Sequence, residues 1–265
     1  MTGAGSTYRA AMVIAWRALP ESISPTVRAV RLGVIPLLTS MFYLAMASGA
    51  GAADPDAGDA LAASVGVGSV AASVAVATLV AEDRFEGTTP FLFIAPHGTV
   101  ASWLGRFTVV AGLGVLVATV GLLATLMVVQ PSGRSDSWGI IALVLIGVAP
   151  AAIGIGFLIG AASLSLRDSL LLSNIAEYVL PLAAGVVAPL SVLWHPIDLV
   201  ARVIPLANLI EAGRTGVDEG MSEGFWGDYA LALGTGVVWV IAAVVVWGRF
   251  ERRARRVGTL ESSAF

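Results

Sequence analysis

Side chains that could do acid–base or metal chemistry are few in this sequence and lie far apart along it. The chain contains no cysteine and no lysine, and its two histidines, His97 and His195, fall in separate halves. Without cysteine there is neither a disulfide nor a thiolate ligand for a metal. Without lysine there is no Gly-rich phosphate-binding loop, because that loop needs a lysine beside the phosphates. We therefore predict no catalytic residues, no metal site and no ATP bound by that route.

One acidic and one basic residue are spaced for pairing, in the stretch PLANLIEAGR at residues 205–214. Glu211 and Arg214 are i, i+3 neighbours, which lie on one face of a helix. The surrounding segment, about 195–225, mixes apolar with charged residues, so it is too polar to span a membrane and too apolar for water. We predict short re-entrant helices that enter the bilayer from outside and return without crossing it.

A second charged segment, DRFEGTTPFLFIAPH at residues 83–97, lies between two long apolar stretches. Its first four residues are charged or bulky. Its later part, around Phe91 and Phe93, is too apolar for a free loop and too short to cross a bilayer. We predict a helix that lies at the membrane surface and packs against another surface.

Glu177 is the one acidic residue that falls inside a predicted span. Intramembrane acids are costly and mark a functional site by default. Two alternatives are open. Glu177 lines a substrate route or pairs with another protomer, or it pairs with Asn174 close to the cytoplasmic interface.

The elements that hold these residues are predicted to be membrane-spanning helices. Of the 265 residues, 57% are hydrophobic and 12% are charged, so the bilayer is the expected solvent. Six stretches are long enough to cross a hydrocarbon core of about 30 Å as helices of about 20 residues. Their approximate ranges are 32–50, 61–81, 107–129, 139–165, 170–193 and 229–248. We predict an all-α polytopic membrane protein of one domain, residues 1–265, with an interfacial helix at about 6–19.

The arginines indicate how the spans are oriented. With the amino terminus inside, all but three of the 15 basic residues face the cytoplasm, the exceptions being Arg134, Arg202 and Arg214. The segments that then lie outside are acidic instead. We predict a multi-pass protein of a bacterial cell membrane with both termini in the cytoplasm.

The two charged segments resemble motifs in the permeases of the type-2 ABC exporter family. In the first segment, charged residues precede Gly87 and Thr88, an apolar run follows, and Pro96 comes about eight positions later. Pro90 departs from the family pattern, which commonly has an acidic residue shortly after Gly-Thr. Proline is tolerated in a first helical turn, so a helix starting near Thr88 remains compatible with it.

The second segment matches another motif of the same family, which lies in the last outer loop. That motif has proline, five residues, an acid, two residues and arginine, and Pro205, Glu211 and Arg214 stand at this spacing. Together with six spans and the length of the chain, the resemblance covers essentially the whole sequence.

The resemblance implies that the first segment is a coupling helix between spans two and three, which docks in a groove of a separate ATPase. The docking residues that it implies are Arg84, Phe85, Glu86, Gly87, Thr88, Phe91 and Pro96. The partners it implies are two copies of an ABC ATPase, which carry ATP and magnesium, and a second permease, identical or homologous. The chain itself is expected to bind no cofactor and no nucleic acid, and to contact the lipid bilayer.

The expected function is therefore that of a permease subunit that exports an amphipathic, lipidic or drug-like substrate with energy from the ATPase. The alternative is a six-span substrate-binding membrane module of an uptake system. Such modules are usually shorter and lack a long outer loop before the last span. An intramembrane hydrolase is disfavoured, because no predicted span contains a histidine to activate a serine.

Overall fold

The protein is described by a computed structural model over residues 3–49, 56–87, 99–129, 137–164, 166, 168–187 and 201–257. These residues are largely helical, and none of them lies in a β-strand. The helices in this part of the chain are α1 (Gly3–Ala18), α2 (Pro20–Ile23), α3 (Pro25–Ala29), α4 (Ile35–Gly49), α5 (Ala57–Phe85), α6 (Thr99–Thr125), α7 (Ser137–Ser163), α8 (Leu171–Ala183), α9 (Pro205–Glu219) and α10 (Glu223–Val257). A π-helical segment, Val30–Val34, joins α3 to α4.

Five segments are long and apolar enough to cross a membrane. They are Pro25–Ala47, Ala57–Arg84, Ser102–Thr125, Trp138–Ser163 and Glu223–Phe250. The all-helical character predicted from the sequence is therefore confirmed for the described residues, and the five candidate spans agree with a multi-pass membrane protein. Each segment begins earlier than its predicted span, since a helix continues past its apolar core. Before α5, for example, the Asp56 carboxylate accepts a hydrogen bond of 2.8 Å from the Asp59 N–H and caps the helix.

The predicted fifth span, 170–193, is not one continuous helix in the described part of the chain. Helix α8 ends at Ala183 and is about 20 Å long, which is shorter than a hydrocarbon core of about 30 Å. Pro181 lies in its last turn, and Gly185 follows with a φ of 71°, a left-handed conformation that ends helices. Residues 188–200 lie outside the described residues, so the count of six spans stays a prediction.

Helix α5 forms the centre of the bundle and contacts α4, α6, α7, α8 and α9. Its most apolar stretch is 83% buried, against 17% for the segment that contains α4. Small residues bring its backbone close to α6. A Cβ added to Gly68 would lie 2.5 Å from the Gly114 carbonyl oxygen. Such close approach stabilises helix pairs where no hydrophobic effect acts between them.

Helix α1 is the predicted interfacial helix, and it packs along α6. Ala11 and Ala15 are buried on its inner side, and the Tyr8 hydroxyl donates a 3.0 Å hydrogen bond to Thr108 Oγ1. Val13 and Ile14 are exposed on the other side. The helix is therefore fixed to the bundle while presenting an apolar surface outward.

Charged side chains gather at two opposite ends of this bundle. The Arg84 cluster, formed by Asp83, Arg84 and Arg106, lies where α5 and α7 end and α6 begins. The Arg214 cluster, formed by Asp59, Glu211 and Arg214, lies where α5 begins and α9 ends. Both clusters are adjacent to the segments that the sequence singled out.

Candidate functional site

The Arg84 guanidinium binds the C-terminal end of α7. Its Nη1 donates to the backbone carbonyl oxygens of Leu164 at 2.6 Å and Leu166 at 2.7 Å, and lies 3.4 Å from that of Ser163. The last carbonyls of a helix lack intrahelical partners and carry the negative end of the helix dipole. Arg84 therefore satisfies these carbonyls and fastens α5 to α7.

Asp83 makes an equivalent link to α6. Its buried carboxylate forms a bidentate ion pair with Arg106, in which Nη2 lies 2.9 Å from Oδ1 and Nη1 contacts Oδ2. The Arg106 guanidinium also lies over the Trp103 ring, 4.7 Å from its centroid. A bidentate pair fixes orientation as well as distance, so α5 and α6 are joined rigidly at this end.

An aromatic cluster packs next to the Asp83–Arg106 ion pair. The Trp103 ring centroid lies 5.3 Å from those of Phe107 and Trp247, and Phe107 lies 5.0 Å from Phe157. These rings come from α6, α7 and α10, and all four are buried. Aromatic pairs at such distances stabilise a protein beyond the contribution of the apolar area that they bury. This packing therefore fixes the ends of these helices relative to one another.

The predicted docking segment, residues 83–97, begins within the Arg84 cluster. Arg84, predicted to contact the ATPase, donates hydrogen bonds to the end of α7 within the chain. Glu86 and Gly87 are exposed, and Gly87 has a φ of 70°, which turns the chain away from α5. Phe85 ends α5. The other predicted docking residues, Thr88, Phe91 and Pro96, lie outside the described residues, as do His97 and His195.

The Arg214 cluster contains the predicted Glu211–Arg214 pair and a third member. Arg214 Nη1 lies 3.8 Å from Glu211 Oε2, and Arg214 Nη2 lies 3.7 Å from Asp59 Oδ1. Within the described part of the chain, none of the three guanidinium nitrogens has a hydrogen-bond partner. Burial lowers the pKa of Arg214, while the carboxylates of Glu211 and Asp59 act in the opposite direction.

Helix α9, which carries Arg214, starts part-way along its neighbours. Next to its N-terminus, the Trp239 indole donates a 2.8 Å hydrogen bond to the Val203 carbonyl, about 24 Å from the start of α10. Near its C-terminus, Gly216 lies against Ile140 and Phe225, close to the starts of α7 and α10. Ten of its 15 residues are buried. The helix therefore rises from the middle of the bundle to one end, and Pro205 occupies its first position.

The third predicted site, Asn174 and Glu177 on α8, is exposed in the single chain. Just before α8, the Ser169 hydroxyl lies 3.5 Å from the Ala81 carbonyl oxygen, so α8 starts near the Arg84 end. Glu177 lies about 9 Å further along the helix. Both alternatives for Glu177 therefore stay open. Among the described residues, no group of three or more histidine or acidic side chains could hold a metal ion.

The sequence does not predict three of these contacts, which join Arg84 to α7, Asp83 to Arg106 and Asp59 to Arg214. A helical spacing can indicate Glu211–Arg214, but no local signal links Asp59 to Arg214 or Asp83 to Arg106. No protein-family model, curated protein or solved structure matches this chain.

Proposed function

We propose that this chain is the membrane permease subunit of an ATP-driven ABC exporter, with six spans and both termini in the cytoplasm. Two such subunits, identical or homologous, form the route between them for an amphipathic, lipidic or drug-like substrate. A separate ATPase docks on the charged segment at residues 83–97. The Arg84 end of the bundle is then the cytoplasmic end, in keeping with its arginines.

The observation that carries this proposal is the placement of α9. A buried helix that begins part-way along α10 and ends near the start of α7 is what a re-entrant outer helix requires. It also contains the Pro205, Glu211 and Arg214 spacing on which the family resemblance rests. A buried polar group is tolerated at membrane depth only where protein surrounds it, and α9 is packed on α5, α7 and α10.

Docking is tested by pull-down of the ATPase encoded beside the permease. Phe91→Asp places a charge in the proposed contact, at a cost of several kcal/mol if it stays unpaired, and we expect ATPase binding to be lost. Phe91→Leu keeps the residue apolar and should retain binding. Full binding by a correctly inserted Phe91→Asp variant would contradict the docking role.

The orientation of the chain in the membrane and the direction of substrate transport are tested in separate experiments. Single cysteines at Ala57 and Gly220 should react with a membrane-impermeant thiol reagent in intact cells, whereas one at Gly258 should react only after permeabilisation. No native cysteine competes with them.

ATP-driven accumulation of substrate inside inverted vesicles supports export, and accumulation inside right-side-out vesicles would support the uptake module instead.

A further inference from the structure

Two roles are conceivable for Arg84, and its contacts in the structure distinguish between them. In one it is a contact for the ATPase, as the resemblance implies. In the other it belongs to the bundle. Its guanidinium is half-buried and lies within 2.6–3.4 Å of the carbonyls of Ser163, Leu164 and Leu166. A guanidinium held by three carbonyls of its own chain is positioned by α7 rather than by a partner.

We propose that Arg84 is a positioning residue that couples the docking segment to α7, so that movement of the segment is transmitted into the bundle. This inference rests on the proposed function. Arg84 holds the point where α5 ends and the segment begins. A displacement of the segment is therefore transmitted to α7 through the Arg84 hydrogen bonds.

Asp83 and Arg106 close the other side of this arrangement. Asp83 lies at the start of the segment and Arg106 follows it, and their bidentate pair joins α5 and α6, the helices on either side. This pair holds α5 and α6 together at this end, so a displacement applied there does not move the two helices apart. Arg84 then directs the displacement toward α7.

Helix α7 is suited to carry the displacement to the other end. Its C-terminal end binds Arg84, and near its N-terminal end Ile140 lies against Gly216 of α9. The helix also contacts α5, α6, α8 and α10. The helix runs without a break from Ser137 to Ser163, with Pro150 inside it. Because packed helices shift between discrete arrangements rather than deforming continuously, α7 connects the docking segment to the buried helix of the Arg214 end.

The test separates docking from coupling. Arg84→Met removes the charge and the donors, Arg84→Lys keeps a cation with three donors, and Arg252→Met is the control at an exposed arginine of α10 near the same end. Each variant is reconstituted with the ATPase in proteoliposomes. ATPase binding and substrate transported per ATP hydrolysed are measured on the same samples.

We expect Arg84→Met to bind the ATPase as the wild type does, but to transport about tenfold less per ATP, the scale of losing hydrogen bonds to a charged group. Arg84→Lys should recover part of this coupling, and Arg252→Met should leave it unchanged. Loss of binding parallel to loss of transport would make Arg84 a docking contact and overturn the proposal. Unchanged transport per ATP would overturn it as well.

Hydrogen exchange gives a readout that does not depend on the ATPase. Amides in the last turn of α7, residues 160–164, should exchange faster in Arg84→Met than in the wild type or Arg252→Met. Unchanged exchange would remove the structural basis of the inference. If the wild-type chain bound no ATPase, the proposed function would fail, whereas faster exchange would still establish that Arg84 fastens α7. Should Arg84→Met fail to insert, Arg84→Lys replaces it, with an intermediate loss of coupling expected.

Discussion

At one end of the bundle, two arginines form short hydrogen bonds. Arg84 lies 2.6 Å from the Leu164 carbonyl oxygen, and Arg106 lies 2.9 Å from Asp83 Oδ1. At the other end, Arg214 lies 3.7 and 3.8 Å from Asp59 and Glu211. The charged side chains at both ends are partly or wholly buried. The charges at the two ends are therefore alike in kind and different in how completely they are satisfied.

This difference indicates different mechanical roles. A buried ion pair offsets its desolvation only with good geometry and further hydrogen bonds, and the Arg84 cluster meets that condition. The Arg214 cluster does not meet it, because the buried guanidinium nitrogens lie 3.7 and 3.8 Å from the nearest carboxylate oxygens and form no hydrogen bond within the described residues. Separating α9 from α5 should cost less than separating α5 from α6. We therefore expect the Arg84 end to be the more rigid of the two and the Arg214 end to separate more easily.

The largest effect is expected from breaking the rigid end. Arg106→Leu leaves the buried Asp83 carboxylate without its bidentate partner, which should lower the free energy of unfolding by about 3 kcal/mol. Thermal unfolding of the purified protein in detergent measures the loss. Arg252→Leu, at an exposed arginine, serves as the control and should change little.

The charge-swapped double variant Asp83→Arg, Arg106→Asp sharpens this result. It should recover part of the stability, because the pair is restored with the opposite polarity. No coupling between the two positions in a double-mutant cycle would contradict the greater rigidity expected of the Arg84 end.

A smaller effect is expected at the Arg214 end. The Asp59 side chain is 15% exposed and that of Glu211 is 40% exposed overall, although the Glu211 Oε2 that faces Arg214 is buried. Asp59→Asn should therefore destabilise more than Glu211→Gln, by about 1 kcal/mol against a few tenths. Both variants, and Arg214→Gln, should impair export while retaining ATPase binding. Full export by all three would reduce the PLANLIEAGR match to a coincidence of spacing.

The smallest effect concerns pH. The pKa of Asp218 is raised, first by desolvation and then by Asp56, Glu219 and Asp59, while Arg214 opposes the shift. A raised pKa means that the ionised form is disfavoured in the folded state. The penalty is present above the raised pKa and is relieved as pH falls through it toward the ordinary value.

Asp218→Asn should therefore stabilise the protein slightly at neutral pH, by less than about 1 kcal/mol because the side chain is exposed and screened. The gain should vanish in acid. Unfolding midpoints measured from pH 7 down to pH 4 for wild type and variant check this. A gain that persists at low pH would show that the carboxylate charge is not its cause.

Local spacing sufficed for some features of the fold and of the candidate site. The apolar stretches located five helices, since about 20 apolar residues have few alternatives to spanning. The i, i+3 spacing placed Glu211 beside Arg214, because both belong to one helix. The ends of the helices were less predictable. They depend on caps such as Asp56, and α8 ends at Ala183 although the residues beyond it are apolar.

The sequence by itself thus determined the membrane as solvent, the positions of most helices and the pairing of neighbours within α9. Only the tertiary structure decided that Arg84 turns inward to α7, that Asp83 meets Arg106, and that Asp59 joins Arg214. Each of these contacts joins helices that are distant in sequence, and its geometry depends on how closely residues such as Gly68 allow the backbones to approach. Hydropathy measures affinity for the bilayer and carries no information about which charged side chain of one helix reaches another.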